Sequence, residues 1–336
     1  MRILIAADVW LEQIGGMPRT LDATVRALRG LPDTSVDLLH SRQFRHHLSL
    51  PGDPEMRLPW VRQRTFERIM AQYEPDAIHI PVEGTLGLAA RRYCLSRGLP
   101  FTTAFTTKFP DYAQARFHVP ASVGYAILRR FHAAAERCLV ATPSLAHELR
   151  IHGFDNVALW PRGVDLELFR PVGKGWIDAP RPIWMFVGRV AVEKNITAFL
   201  DLQLPGTKVV VGHGPQLSAL RRKYPTVRFT GTLNGEALVR HLSSSDVLVF
   251  PSRTDTFGLV MLEALACGVP VAAYPVTGPL DVIGNSGSGV LDEDLGRAAR
   301  LALQIAPTTC RAYAERHTWA AAARQLRANL ARIPRP

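Results

Sequence analysis

Cysteine is scarce and scattered. The 336 residues hold four, Cys94, Cys138, Cys267 and Cys310, with no C-x-x-C pair. That spacing removes a disulfide framework and a cysteine metal site, and leaves reduced, mostly buried thiols as the expectation. No apolar run reaches the ~20 residues of a membrane-spanning helix. The longest candidate, residues 257–276, is broken by Glu263, Gly268, Pro270 and Pro275. The opening MRILIAADVW has one Arg, a short apolar run up to Asp8 and no A-x-A cleavage site, so it reads as a first β-strand rather than a signal peptide. The expected location is the cytoplasm, with the inner face of the cytoplasmic membrane open as a peripheral site. Also missing are the G-x-G-x-x-G of dinucleotide binding and the G-K-[ST] of a P-loop, so a dehydrogenase or NTPase loses its main support.

Acidic residues are outnumbered, 29 against 40 basic ones, and the net charge is +11. Such an excess suits nucleic acid, an anionic membrane or phosphorylated substrates. It is spread evenly: residues 1–165 carry 20 basic and 16 acidic groups, with no Lys/Arg block in either half. Without a nucleic-acid-reading motif, nucleic acid is not an expected partner.

What the chain does have is alternation. Continuous apolar runs of strand length lie at residues 2–7, 36–40, 77–81, 100–106, 138–143 and 157–161, then at 183–188, 208–212, 227–231, 246–250 and 269–274, with helix-length segments between them. Unalternating β-branched runs mark parallel strands buried on both faces, here in two sets. The fold class is therefore α/β, with two doubly wound Rossmann-like domains. The Pro- and Gly-rich stretch 164–183 reads as the linker, with the boundary near 170, and residues 310–333 read as a helix. Residues 57–73 mix Arg57, Arg62, Arg64 and Arg68 with Trp60, Phe66, Ile69 and Met70. They suit an amphipathic helix that lies at an anionic membrane or, preferably, packs on the first domain.

Three sites carry chemistry. In PSRTDTFGLVMLEALACGVPV (251–271) a strand runs into a loop holding Asp255, and a helix starts near Gly258 and ends at Gly268. The free N–H groups of Phe257, Gly258 and Leu259 then lie where open α/β sheets bind anions. Glu263 lies inside that helix among apolar neighbours, where a charge is expensive without a partner. Two readings stand level: a structural pair with an Arg, or acceptance of sugar and ribose hydroxyls by Asp255 and Glu263. In IWMFVGRVAVEKN, Arg189 and Lys194 follow a strand and suit the two phosphates of a nucleotide diphosphate. In QIGGMPRT, Gly15 and Gly16 allow close backbone approach to a ligand.

These stretches together resemble the retaining glycosyltransferases of family 4, which have the GT-B fold of two Rossmann-like domains facing across a cleft. Asp255 and Glu263 resemble that family's E-x7-E segment, with Asp255, one methylene shorter, in place of the usual first Glu. FVGRVAVEKN resembles its phosphate clamp, and IGGMPRT its glycine loop in the form found near lipid mannosyl- and glucosyltransferases. GHGP (212–215) and PVTGPLDVI (275–283) also fit. The resemblance implies an acceptor-side domain 1–168, a donor-binding domain 169–312 and a returning helix 313–336. It also implies transfer of a hexosyl group from GDP-mannose or a UDP-sugar to a lipid or glycan hydroxyl. The nucleotide sugar is then a co-substrate, with no cofactor and no metal. Arg189, Lys194 and Asp255 become catalytic. Glu263 takes the ribose, Asp255 with Phe257, Gly258 and Leu259 the sugar, and Gly231 to Leu233 the base. Gly15 and Gly16 join the donor site, and Arg19, Thr106, Asp111 and His118 lie on the acceptor side. Where the family commonly has Tyr-His-Thr, this chain has Phe105-Thr106-Thr107. An inactive relative that binds nucleotide sugar or a partner, and a GT-B sugar-nucleotide epimerase, are the rival readings.

Overall fold

The central strands form where β-branched and aliphatic residues run without interruption, and helices packed on their sheets bury them. The computed structural model describes residues 1–8, 16–44, 47–50 and 53–334. The chain divides into two compact units: Met1–Pro110, Val119–Pro161 and Trp319–Pro336 form one, and Asp111–His118 with Arg162–Thr318 form the other.

The first unit holds β1 (Arg2–Ala7), β2 (Ser35–His40), β3 (His47–Leu50), β4 (Asp53–Pro59), β5 (Ala77–Ile80), β6 (Thr102–Ala104), β7 (Arg137–Val140) and β8 (Val157–Leu159). Six of them make a parallel sheet in the order β2-β1-β5-β6-β7-β8. Strand period decides which side each residue faces. Ile3 and Ile5 pack with Leu21, Val25 and Leu28 of the helix Gly16–Arg29 and with Leu326 of the helix Trp319–Asn329. Leu4 packs on the other side with Phe66, Met70 and Ile78.

The second unit holds β9 (Ile183–Val187), β10 (Thr207–Val211), β11 (Arg228–Gly231), β12 (Val247–Phe250), β13 (Val271–Ala273) and β14 (Gly289–Leu291). They form one parallel sheet in the order β11-β10-β9-β12-β13-β14. Trp184 is fully buried in it and donates its indole N–H to the Pro205 carbonyl at 2.6 Å.

The structure corrects several sequence expectations. Residues 57–73 are not one helix. Asp53–Pro59 pairs with His47–Leu50 as an antiparallel hairpin, and the helix covers only Gln63–Tyr73. Its Phe66 and Met70 are core residues, so packing takes the face that a membrane would otherwise use. The C-terminal segment is two helices, Pro307–Ala314 and Trp319–Asn329, because Thr318 leaves helical conformation to bridge Val164. The run 100–106 is strand only at Thr102–Ala104, and β14 was not foreseen, since GVL is too short to stand out. All four cysteines are free and buried, and burial pushes the thiols of Cys94, Cys267 and Cys310 up to about 12. Among the described residues no helix is long and apolar enough to cross a membrane.

One polar network lies inside the first unit. His132 is fully buried, with Nδ1 2.9 Å from Thr103 Oγ1 and Nε2 3.0 Å from Glu83 Oε1. Burial works against the imidazolium, but the Cys138 sulfur and the Glu83 carboxylate outweigh it and push the pKa from 6.5 to about 10. Because the folded value lies above the unfolded one, the stabilisation is complete below about pH 6.5 and is lost as pH rises through about 10. Glu83→Gln is expected to lower stability by ~3 kcal/mol at pH 6, since breaking a buried pair strands the remaining charge. Urea unfolding of both chains at pH 6 and above pH 10 checks this: the deficit should shrink at the higher pH.

Candidate active site at the carboxyl ends of β9 and β12

In the second sheet the chain begins at β9, builds outward to β10 and β11, then returns to β12 on the other side. The loops leaving β9 and β12 therefore part, and the crevice they open is where doubly wound sheets hold ligands. The loop after β9 contains Arg189 and Lys194, and the loop after β12 contains Asp255. Chain order alone brings these two segments together.

Lys194 forms an ion pair with Asp255 across the crevice; their side chains are 22% and 15% exposed. Burial favours discharge of the Lys194 ammonium, but Asp255, by its charge and its hydrogen bond, leads the causes that outweigh it and the pKa is raised, so the cation persists at neutral pH. Two further bonds tie the loops. Asn195, in the left-handed region at φ 50°, donates from Nδ2 to the Pro251 carbonyl at 3.1 Å. Thr254 Oγ1 donates to the Glu193 carbonyl at 3.1 Å. Arg189, by contrast, is exposed. The loops at this crevice thus carry a half-buried cation paired with a carboxylate, and a second, exposed cation.

The helix Leu259–Ala266 starts at Gly258, whose φ of 81° puts it in the left-handed region. A Cβ there would stand 2.8 Å from both Met261 Cε and Phe250 Cζ, so only glycine lets the chain turn so tightly into the helix. Phe257 and Glu263 are buried, Glu263 at 6% exposure, and Leu259 is half-buried. Gly278, at φ 92°, closes on the same loop: its Cβ position lies 2.8 Å from the Asp255 carbonyl oxygen. At the carboxyl ends of β10 and β11, Gly212 donates to the Gly231 carbonyl at 2.7 Å, and Leu233 follows half-buried.

Of the sequence candidates, Arg189, Lys194, Gly231, Leu233, Asp255, Phe257, Gly258, Leu259 and Glu263 all belong to the second unit. Asp111 and His118 group with it too, while Gly16, Arg19 and Thr106 belong to the first. Gly15 lies outside the described residues. Thr106 is half-buried, 3.5 Å from the Pro81 carbonyl. Sequence reasoning missed Asn195, Thr254 and Tyr112. Asn195 had one available signal, the tolerance of asparagine for left-handed backbone between a short turn and a helix. Among the described residues no cluster of three His, Cys, Asp or Glu side chains could hold a metal ion.

Two doubly wound units of this kind, one with such a crevice, define the GT-B glycosyltransferase architecture. A family model described as Glycosyltransferase Family 4 matches residues 14–168, and one described as Glycosyl transferases group 1 matches residues 181–306. A GDP-mannose-dependent alpha-mannosyltransferase of Mycolicibacterium smegmatis is 31% identical over 327 residues, covering 87% of this chain and 84% of that protein. Its namesake in Mycobacterium tuberculosis is 29% identical over 324 residues, covering 87% of this chain and 83% of that protein. Among solved structures, sucrose-phosphate synthase of Thermosynechococcus elongatus superposes with a TM-score of 0.79 at 20% identity, covering 97% of each chain. Anabaena HepE in complex with UDP and glucose gives 0.73 at 14% identity and 98% of each. The chain belongs to glycosyltransferase family 4 and is a glycosyltransferase.

Gly258→Ala is expected to destabilise the protein by more than ~1 kcal/mol, through left-handed backbone strain and displacement of Met261 and Phe250. Thermal unfolding compared with Gly235→Ala, where φ is 52° but no atom lies within 4 Å, separates the clash from the strain.

Proposed function

We propose that the protein is a retaining, metal-independent mannosyltransferase that takes GDP-mannose as donor and delivers mannose to a lipid or glycan hydroxyl. The observation that carries the reading is the Lys194–Asp255 pair at the crevice, with Arg189 in the same loop as Lys194, in a chain similar over 87% of its length to GDP-mannose-dependent enzymes. In this reading Lys194 and Arg189 neutralise the charge that grows on the departing diphosphate, where preorganised cations act most strongly. Asp255 and the N–H groups at the start of the helix Leu259–Ala266 hold the sugar, and Glu263 holds the ribose. As the bond from the anomeric carbon to the diphosphate lengthens, that carbon gains positive character. The acceptor hydroxyl attacks from the same face, passes its proton to the leaving phosphate oxygen and keeps the α configuration. The chain's own cations do the work of a metal, and the rate comes from positioning and field.

Arg19, Thr106, Asp111 and His118 are the proposed acceptor-side residues, with Gly16 on the donor loop of the first unit. A threonine at 106 offers a hydroxyl but no base of the histidine kind, which suits a mechanism in which the leaving phosphate takes the proton. For a lipid acceptor the protein works at the inner face of an anionic membrane. Because Phe66 and Met70 face the core, the helix Gln63–Tyr73 has no free apolar side to insert, and its exposed residues include Arg64 and Arg68.

The test is calorimetric titration with GDP, UDP and ADP, without metal and then with Mg²⁺, followed by turnover with the matching sugar nucleotide. GDP binding without metal supports the reading; binding of UDP alone moves the donor to the UDP-sugars. Glu263→Ala is expected to abolish nucleotide binding, and an unchanged affinity would remove its ribose role. Lys194→Ala is expected to weaken GDP at least tenfold and GMP far less, because only GDP carries the β-phosphate.

A further inference from the structure

The Lys194–Asp255 pair has a third partner that comes from a distant part of the chain. Residues Asp111–His118 group with the second unit although they stand some fifty residues before its main segment begins at Arg162. They belong to the helix Phe109–Phe117, and Tyr112 is the member that reaches the crevice. Its hydroxyl hydrogen-bonds Thr254 and faces Lys194, Asp255 and Glu193. Burial is the main reason its phenol pKa is raised, with the two carboxylates adding to it. The group stays neutral at any working pH and acts as a hydrogen-bond donor.

The direction of that bond follows from a donor count. Thr254 has one hydroxyl proton and donates it to the Glu193 carbonyl at 3.1 Å. Toward Tyr112 it has only lone pairs, so the phenol donates and Thr254 accepts. The result is a chain of donors, Tyr112 to Thr254 to the Glu193 backbone, crossing from the β12 loop to the β9 loop beside the ion pair. Among the described residues, none hydrogen-bonds Asp255 Oδ2, which is buried. Among the described residues the carboxylate is anchored through Oδ1 to Lys194, so its orientation depends on how firmly the two loops are held together.

We propose that Tyr112 is a positioning residue of the donor site, which holds the β9 and β12 loops in register so that Lys194 presents its ammonium to the second phosphate of a nucleoside diphosphate. The inference rests on the reading of Lys194 as a β-phosphate contact. Tyr112 touches no phosphate itself. It acts through Thr254 and the loop that carries Lys194, so its effect is confined to ligands that reach Lys194.

Tyr112→Phe keeps the ring and removes only the donor. Calorimetry with GDP and GMP on the native chain, on Tyr112→Phe, on Lys194→Ala and on the double variant tests the inference. Tyr112→Phe is expected to weaken GDP three- to tenfold with GMP within twofold of native, and to add nothing in the Lys194→Ala background. A general loss of packing would instead lower GMP and GDP together. Unchanged GDP affinity in Tyr112→Phe, equal losses for both nucleotides, or a full loss persisting without Lys194 overturns the proposal. So does tighter GDP binding by Tyr112→Ala, which would make the ring an obstruction rather than a support. A Lys194→Ala variant that loses GMP and GDP equally is a different result: it removes the β-phosphate reading itself, whatever Tyr112→Phe does.

Discussion

The divergence of the chain at β9 and β12 is the constraint on which the second unit depends. Each of the two strands hands its loop to the same crevice because the sheet grows first to one side and then to the other. Nothing in the loops themselves would bring Lys194 to Asp255, sixty-one residues on. Once together, the two charges need each other, since either alone in a half-buried site would favour its neutral form. Asn195 and Thr254 then add bonds across the same gap, so three side-chain links join the two loops.

Backbone proximity is the second constraint, and glycine is how the sequence meets it. At Gly212 a Cβ would stand 1.9 Å from the Gly188 carbonyl oxygen, and at Gly214 it would stand 2.4 Å from that of Val190. The loops at the carboxyl ends of β9 and β10 are thus packed main chain against main chain. That leaves little side-chain bulk beneath a ligand and keeps N–H groups near the surface.

The first unit repeats the topology with different chemistry. Its strand order also reverses, between β1 and β5, and there Asp8 caps the helix Thr85–Ser96. Asp8 accepts the N–H groups of Leu86 at 2.8 Å and Gly87 at 3.0 Å. Burial raises its pKa while these bonds lower it. Glu83, in the loop after β5, turns instead to His132. The same rule of sheet topology therefore yields a cation–carboxylate crevice in one unit and a capped helix beside a buried Glu–His pair in the other.

Much of this was legible in the residues. Unbroken runs such as RILIAA and IWMFV gave themselves away as doubly buried parallel strands, and Gly258 and Gly268 bracketed their helix, because those features depend on neighbours within a few positions. Arg189, Lys194, Asp255 and Glu263 could be picked out by type and spacing, but spacing left open what each one meets. The tertiary structure decided that Lys194 pairs with Asp255, that Tyr112 joins them from the helix Phe109–Phe117, and that His132 pairs with Glu83. It also turned Asp53–Pro59 into a hairpin strand and split the C-terminal helix at Thr318. Local propensity acts over a turn or two of backbone, whereas pairing, burial and charge are set by segments that only sheet order brings within bonding distance.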